Sequence, residues 1–141
     1  MGLAESFSVN YLAGGRLNSP WFPTKTEPYI EGLILPINNS VLETPKILTL
    51  DFDTEMLSMS IAAERYEIFD YWKLFINNKI VMKNIYMKKI PEGVFLMVAK
   101  SIPANTPILL VFYNQSQVAN HVWVNYQFLR DPEEDIIEDE Q

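Results

Sequence analysis

Catalysis needs a nucleophile, a proton carrier or a metal within reach of one another, and residues of those types are sparse in this chain. His121 is the only histidine, and no G-x-S-x-G turn or similar setting offers it a serine to activate. It opens a run of alternating residues beside Asn120, a position that suits a structural or surface role better than catalysis. Cysteine is absent, which removes disulfides, thiolate metal sites and a cysteine nucleophile. Asp51, Asp53 and Glu55 alternate. Carboxylates two apart on a strand point to one side, and oxygen ligands of that kind suit calcium. The glycine and spacing of an EF-hand loop are missing, so solvent-facing strand positions explain these acids more simply. A glycosidase needs two carboxylates roughly 5–10 Å apart across a cleft, and 18 acids make too many pairs to single one out. Gly14-Gly15 lacks the motif of a phosphate-cradling loop. The expectation is therefore a non-enzyme with no catalytic residue, metal ligand or cofactor.

Recognition is a better prospect than catalysis. Trp123, Asn125 and Gln127 alternate with Val122, Val124, Tyr126 and Phe128. If the second set is core, the first is a polar surface carrying one tryptophan, which makes a candidate binding or subunit-contact patch. Burial of Trp123 beneath the N-terminal segment is the competing reading. In that segment Trp21, Phe22 and Tyr29 are apolar groups that need cover, and they form a candidate subunit contact. Trp72 reads as core.

The elements that must position these residues are strands. Hydrophobic residues make up 48% of the 141-residue chain and charged ones 21%, proportions of a single folded domain. Residues 1–46 hold five of the nine prolines between positions 20 and 45. Such a stretch is neither helix nor central strand; it reads as an extended arm with one or two edge strands. From Ile47, short β-branched and aromatic runs recur at intervals of about 10 residues, the pattern of a sandwich or barrel. Leu48, Leu50 and Phe52 alternate with polar residues, as do Leu57, Met59 and Ile61. Asn77-Asn78-Lys79 marks a tight hairpin, and Val94–Ile102, Ile108–Tyr113 and His121–Leu129 are further strands. Seven strands are expected in 47–130, with one or two more from the arm. Only Ala62–Phe69 has any claim to a helical turn.

The net charge of −7 resides entirely in residues 131–141, which hold seven acids and no base. The remainder carries eleven acids against eleven bases, with Lys88-Lys89 the densest basic spot. That excludes a nucleic-acid footprint, and the acidic tail is expected to be disordered. Met1–Tyr11 has no basic n-region, and the longest apolar runs, Val94–Ala99 and Ile108–Tyr113, fall well short of a membrane span.

The stretch "SMSIAAERYEIFDYWKLFINNKIVMKNIYMKKIPEGVFL", followed by "IPANTPILLVFYNQS" and "VWVNYQFL", resembles small β-sandwich proteins of tailed-bacteriophage particles. It covers about half the chain. The resemblance implies an antiparallel, jelly-roll-like sandwich serving as a capsid decoration, fibre-base or baseplate part. It also implies protein subunits as partners, a homo-oligomer or larger assembly, and a virion location after synthesis in the host cytoplasm. A carbohydrate- or receptor-binding sandwich is the alternative function, and a cytoplasmic protein the alternative location.

Overall fold

The computed structural model describes residues 23–133 and, within them, strands and turns but no helix. The elements are β1 (Glu27–Ile37), β2 (Glu43–Leu48), β3 (Thr54–Ala63), β4 (Tyr71–Ile76), β5 (Lys79–Tyr86), β6 (Glu92–Ile102), β7 (Ile108–Tyr113) and β8 (Asn120–Arg130). They form two four-stranded sheets, ordered β1-β8-β3-β6 and β2-β7-β4-β5. Every pairing is antiparallel. The fold is an all-β sandwich. No helix among the described residues is long and apolar enough to cross a membrane.

One core lies between the sheets. Met56, Met59, Val122, Val124, Tyr126 and Phe128 come from the first sheet, and Trp72, Leu74, Leu110 and Phe112 from the second. All are essentially inaccessible to water. Burying side chains of this size stabilises the fold by about 1.5–3 kcal/mol each. β8 follows its sequence pattern strictly, with even-numbered residues inside and odd-numbered ones outside from Asn120 to Phe128.

The hairpin between β4 and β5 turns on Asn77 and Asn78, at φ values of 52° and 65°. Paired left-handed residues match the right-handed twist of the flanking strands, and asparagine tolerates that region. Asn105 and Gln117 occupy the same region in the turns before β7 and β8.

Three local expectations give way to tertiary structure. The strand anticipated from Ile47 instead runs Glu43–Leu48, and Leu50 and Phe52 fall in the bend that follows. β2 is an edge strand paired only with β7, so Pro45 costs it no ladder bond towards a second neighbour. β3 has an irregularity between Met56 and Ser58. That bulge breaks the alternation, so Met56 joins Met59 and Ile61 in the core while Leu57 is only half-buried. The helical turn suggested for Ala62–Phe69 is the end of β3 and an irregular loop, closed by the Asp70 amide on the Glu67 carbonyl at 3.2 Å. A run this short gives too few helical bonds to offset nucleation.

The sandwich also takes in most of residues 27–46, where proline content predicts an arm with one or two edge strands. β1 pairs with β8 over its full length as one edge of the first sheet, and β2 is an edge of the second. Residues 1–22 lie outside the described residues. At the other end, Asp131 meets the Lys25 ammonium at 3.1 Å and Glu133 meets Arg130 at 3.3 Å. The rest of the expected acidic tail, residues 134–141, lies outside the described residues.

Candidate functional site

The outer face of the β1-β8-β3-β6 sheet holds Trp123, Asn125 and Gln127 of the sequence candidates. Outward positions of β8 are His121, Trp123, Asn125 and Gln127. Register sets Ile34, Trp123 and Ala62 in one row across the sheet. Gly32, Asn125, Ser60 and Gly93 form the next row, and Ile30, Gln127, Ser58 and Phe95 the one after. The middle of the face is therefore low, floored by glycine, serine and alanine. Large apolar groups stand around it: Phe95 is 74% exposed, Ile30 60%, Ile34 55% and Trp123 43%, and the neighbouring Met97 is 99% exposed.

Two glycines shape that floor. A Cβ on Gly32 would lie 2.7 Å from Asn125 Oδ1, and one on Gly93 would lie 3.2 Å from the Phe95 ring. Absence of a side chain lets the Asn125 amide lie over β1 and the Phe95 ring fold back over β6. Gln127 accepts a hydrogen bond from the Ser58 hydroxyl at 3.0 Å, which fixes one amide on the face.

Charge sits at the ends of this face. At one end, His121 Nδ1 lies 2.9 Å from Glu64 Oε1, both side chains being about half exposed. At the other, Glu55 is buried opposite Leu129 and receives the incoming chain. Its carboxylate accepts from the Thr24 amide at 2.9 and 3.0 Å, the Thr24 hydroxyl at 3.0 Å and the Lys25 amide at 2.9 Å. Burial alone would raise the Glu55 carboxyl; the Lys25 and Thr24 bonds outweigh it and hold the group below its ordinary range.

The remaining sequence candidates fall elsewhere. Tyr29 is on the inner side of β1, stacked on Phe128 at 6.3 Å and edge-on to Phe52 at 5.2 Å, with Arg130 4.6 Å over its ring. Its hydroxyl donates to Glu31. Tyr29 thus packs within its own chain, away from the Trp123 face. Trp21 and Phe22 lie outside the described residues. The three alternating acids do not converge: Asp53 caps the Ala104 amide at 2.8 Å, Glu55 binds Thr24 and Lys25, and Asp51 is exposed. Among the described residues no group of three or more His, Cys, Asp or Glu side chains is placed to hold a metal.

Sequence reasoning missed Ile30, Ile34, Phe95 and Met97, the apolar part of the face. It also missed a second aromatic feature, on the outer side of the β2-β7-β4-β5 sheet. Tyr71 pairs with both Tyr113 and Tyr86. Its ring stacks on Tyr113 at 4.6 Å and 9° and tilts against Tyr86 at 5.1 Å. Lys73 covers the Tyr113 ring at 5.0 Å. The rings thus spend their faces largely on one another and on a lysine, leaving little flat surface for a sugar. Only the strand register, which a single sequence does not contain, brings these three together.

Comparison with curated proteins finds no match. One family model matches residues 25–133, a span that starts just before β1 and ends just after β8. The chain belongs to the family described as a domain of unknown function, DUF8551.

Proposed function

We propose that this chain is a non-enzymatic, jelly-roll-like structural subunit that acts through protein–protein contacts in a larger particle, a tailed-phage virion being the setting its sequence resembles. The observation that carries the reading is the outer face of the first sheet. Ile30, Ile34, Phe95, Met97 and Trp123 are all exposed there, on three strands. Large apolar groups gathered in this way on one face are costly to leave in water and mark a contact surface. The strand orders β1-β8-β3-β6 and β2-β7-β4-β5 support the jelly-roll part of the reading. Successive strands alternate between sheets except at the β4–β5 hairpin, as in eight-stranded double Greek keys, an architecture used by capsid and lectin domains.

The test is the molar mass of the full chain beside a Phe95→Asp, Met97→Asp variant. The reading expects association in the first and a smaller mass in the second, with unfolding transitions unchanged. Monomers in both would defeat it. The alternative, a carbohydrate-binding module, is favoured by one observation: Trp123 is exposed beside Asn125 and Gln127. It expects glycan binding that Trp123→Ala abolishes without loss of fold, and a blank glycan screen counts against it.

A further inference from the structure

The β1 edge of the first sheet, open among the described residues, has a symmetry of its own. β1 reads Pro28-Tyr29-Ile30-Glu31-Gly32-Leu33-Ile34-Leu35-Pro36. Its even-numbered residues, Pro-Ile-Gly-Ile-Pro, are a palindrome about Gly32. The odd-numbered ones, Tyr29, Glu31, Leu33 and Leu35, are not.

The even-numbered set is also the one whose backbone faces the edge. In an antiparallel ladder the N–H and C=O of one residue point to the same side, and alternate residues point to opposite sides. The His121 carbonyl accepts from the Glu64 amide at 2.8 Å, on the β3 side of β8. His121 is the register partner of Pro36 on the other side, so that pair is not hydrogen-bonded. Pro36 therefore turns its carbonyl away from β8, and by alternation so do Ile34, Gly32, Ile30 and Pro28. Proline at both ends agrees with this, because a residue facing the edge has no ladder N–H to lose. Among the described residues no strand lies beyond β1.

We propose that two copies of the chain pair edge to edge through β1, antiparallel and centred on Gly32. This rests on the reading of the chain as an assembling subunit, and names its partner as a second copy. In that register Ile30 faces Ile34 of the second copy, Gly32 faces its own equivalent, and Pro28 faces Pro36. Three pairs exchange roughly six hydrogen bonds, two per bonded pair. Beyond them the prolines offer no donor, so the ladder stops. Edge prolines commonly block strand addition; here they bound a three-residue window that is open and self-complementary. The contact is isologous and closes on itself as a two-fold dimer. Glu31 falls opposite Leu33 of the second copy, so the two carboxylates are not set against each other. Ile30 and Ile34 are more than half exposed on the outer face, and pairing places each against its counterpart beside Trp123. Two four-stranded sheets become one of eight strands, with a continuous apolar face.

The test is light scattering on the full chain from micromolar to near-millimolar concentration, with three variants. The chain itself is expected at twice its monomer mass or a multiple of that. Ile30→Pro removes an edge-facing N–H in each copy and leaves the β1–β8 ladder whole, so dimerisation should weaken about tenfold or more. Ile30→Lys, Ile34→Lys and Ile30→Glu, Ile34→Glu variants should each lose this pairing and fall in mass, because like charges then face each other across the two-fold. An equimolar mixture of those two should recover the mass of the unsubstituted chain, which a mere loss of folding would not do. An oligomer whose mass ignores all three variants overturns the edge pairing while leaving assembly through the outer face standing. A full chain that is monomeric throughout also overturns the edge pairing. So does a monomer whose Ile30, Gly32 and Ile34 amides resist hydrogen exchange, since another segment of the same chain then holds the edge.

Discussion

Replacing Glu55 by glutamine tests how the chain is fastened where it enters β1. The carboxylate takes four contacts from Thr24 and Lys25, all between 2.9 and 3.0 Å. Glutamine keeps one oxygen and turns an NH2 towards donors that need an acceptor, so at least one amide or hydroxyl loses its partner. Hydrogen bonds to a charged group contribute about 1.5–3 kcal/mol each, and an unpaired buried donor costs about 1–3 kcal/mol. With Thr24 free to rehydrate, the expected loss at pH 7 is about 2–3 kcal/mol, roughly a 4–12 °C fall in melting temperature for a domain of this size. Because folding lowers the Glu55 pKa, the carboxylate's contribution is complete above its unfolded value, about 4.3–4.5, and is lost as pH falls through the folded one. Urea unfolding of both proteins at pH 7 and pH 3 reads this out. The gap should be wide at pH 7 and narrower at pH 3. A gap below about 0.5 kcal/mol at pH 7, or one of equal size at both pH values, would refute the reasoning.

Four further outcomes follow from the same geometry. Asn78→Gly should stabilise the β4–β5 hairpin by about 0.5 kcal/mol, since Asn78 sits at φ 65° where glycine is unstrained; Asn78→Val should cost about 1–2 kcal/mol, both read by urea denaturation. Tyr126→Phe should be neutral or stabilising by up to about 1 kcal/mol, because the Tyr126 hydroxyl is buried with no hydrogen-bond partner among the described residues. Asp70→Ala should cost about 2–3 kcal/mol, since buried Asp70 accepts from the Ser116 amide at 2.9 Å and its hydroxyl at 3.0 Å; loss of exchange protection at the Ser116 amide would accompany it. Trp123→Ala should change unfolding free energy by less than about 1 kcal/mol, its ring being 43% exposed, while reducing association measured by sedimentation.

Strand elements were legible wherever one face of a strand is core and the other solvent. β8 is the clearest case, since Val122, Val124, Tyr126 and Phe128 are all interior and their neighbours all outside. The Asn77-Asn78 turn was legible because it depends on local backbone chemistry alone. β1 hid for the opposite reason: Leu33, Leu35 and Ile37 point inward while Ile30 and Ile34 point outward, so apolar residues on both faces cancel the period-2 signal. The bulge at Met56–Ser58 shifts the phase of β3 by one residue, and no side chain there announces it. Of the candidate site, Trp123, Asn125 and Gln127 were visible in the sequence. Their apolar neighbours came into view only when register placed Ile34 and Ala62 beside Trp123, and Phe95 in the row of Gln127. Of the prolines that suggested an arm, Pro28, Pro36 and Pro45 are compatible with regular structure because they lie on edge strands, a property of the sheet rather than of the segment.

The most direct measurement is the molar mass of the full chain in solution by size-exclusion chromatography with light scattering across a wide concentration range. A subunit that assembles through the first sheet should give a discrete oligomer whose mass is constant over most of that range and falls when Phe95 and Met97 are made acidic. A monomer at every concentration, indifferent to those substitutions, would contradict the claim that this face exists to be covered by protein.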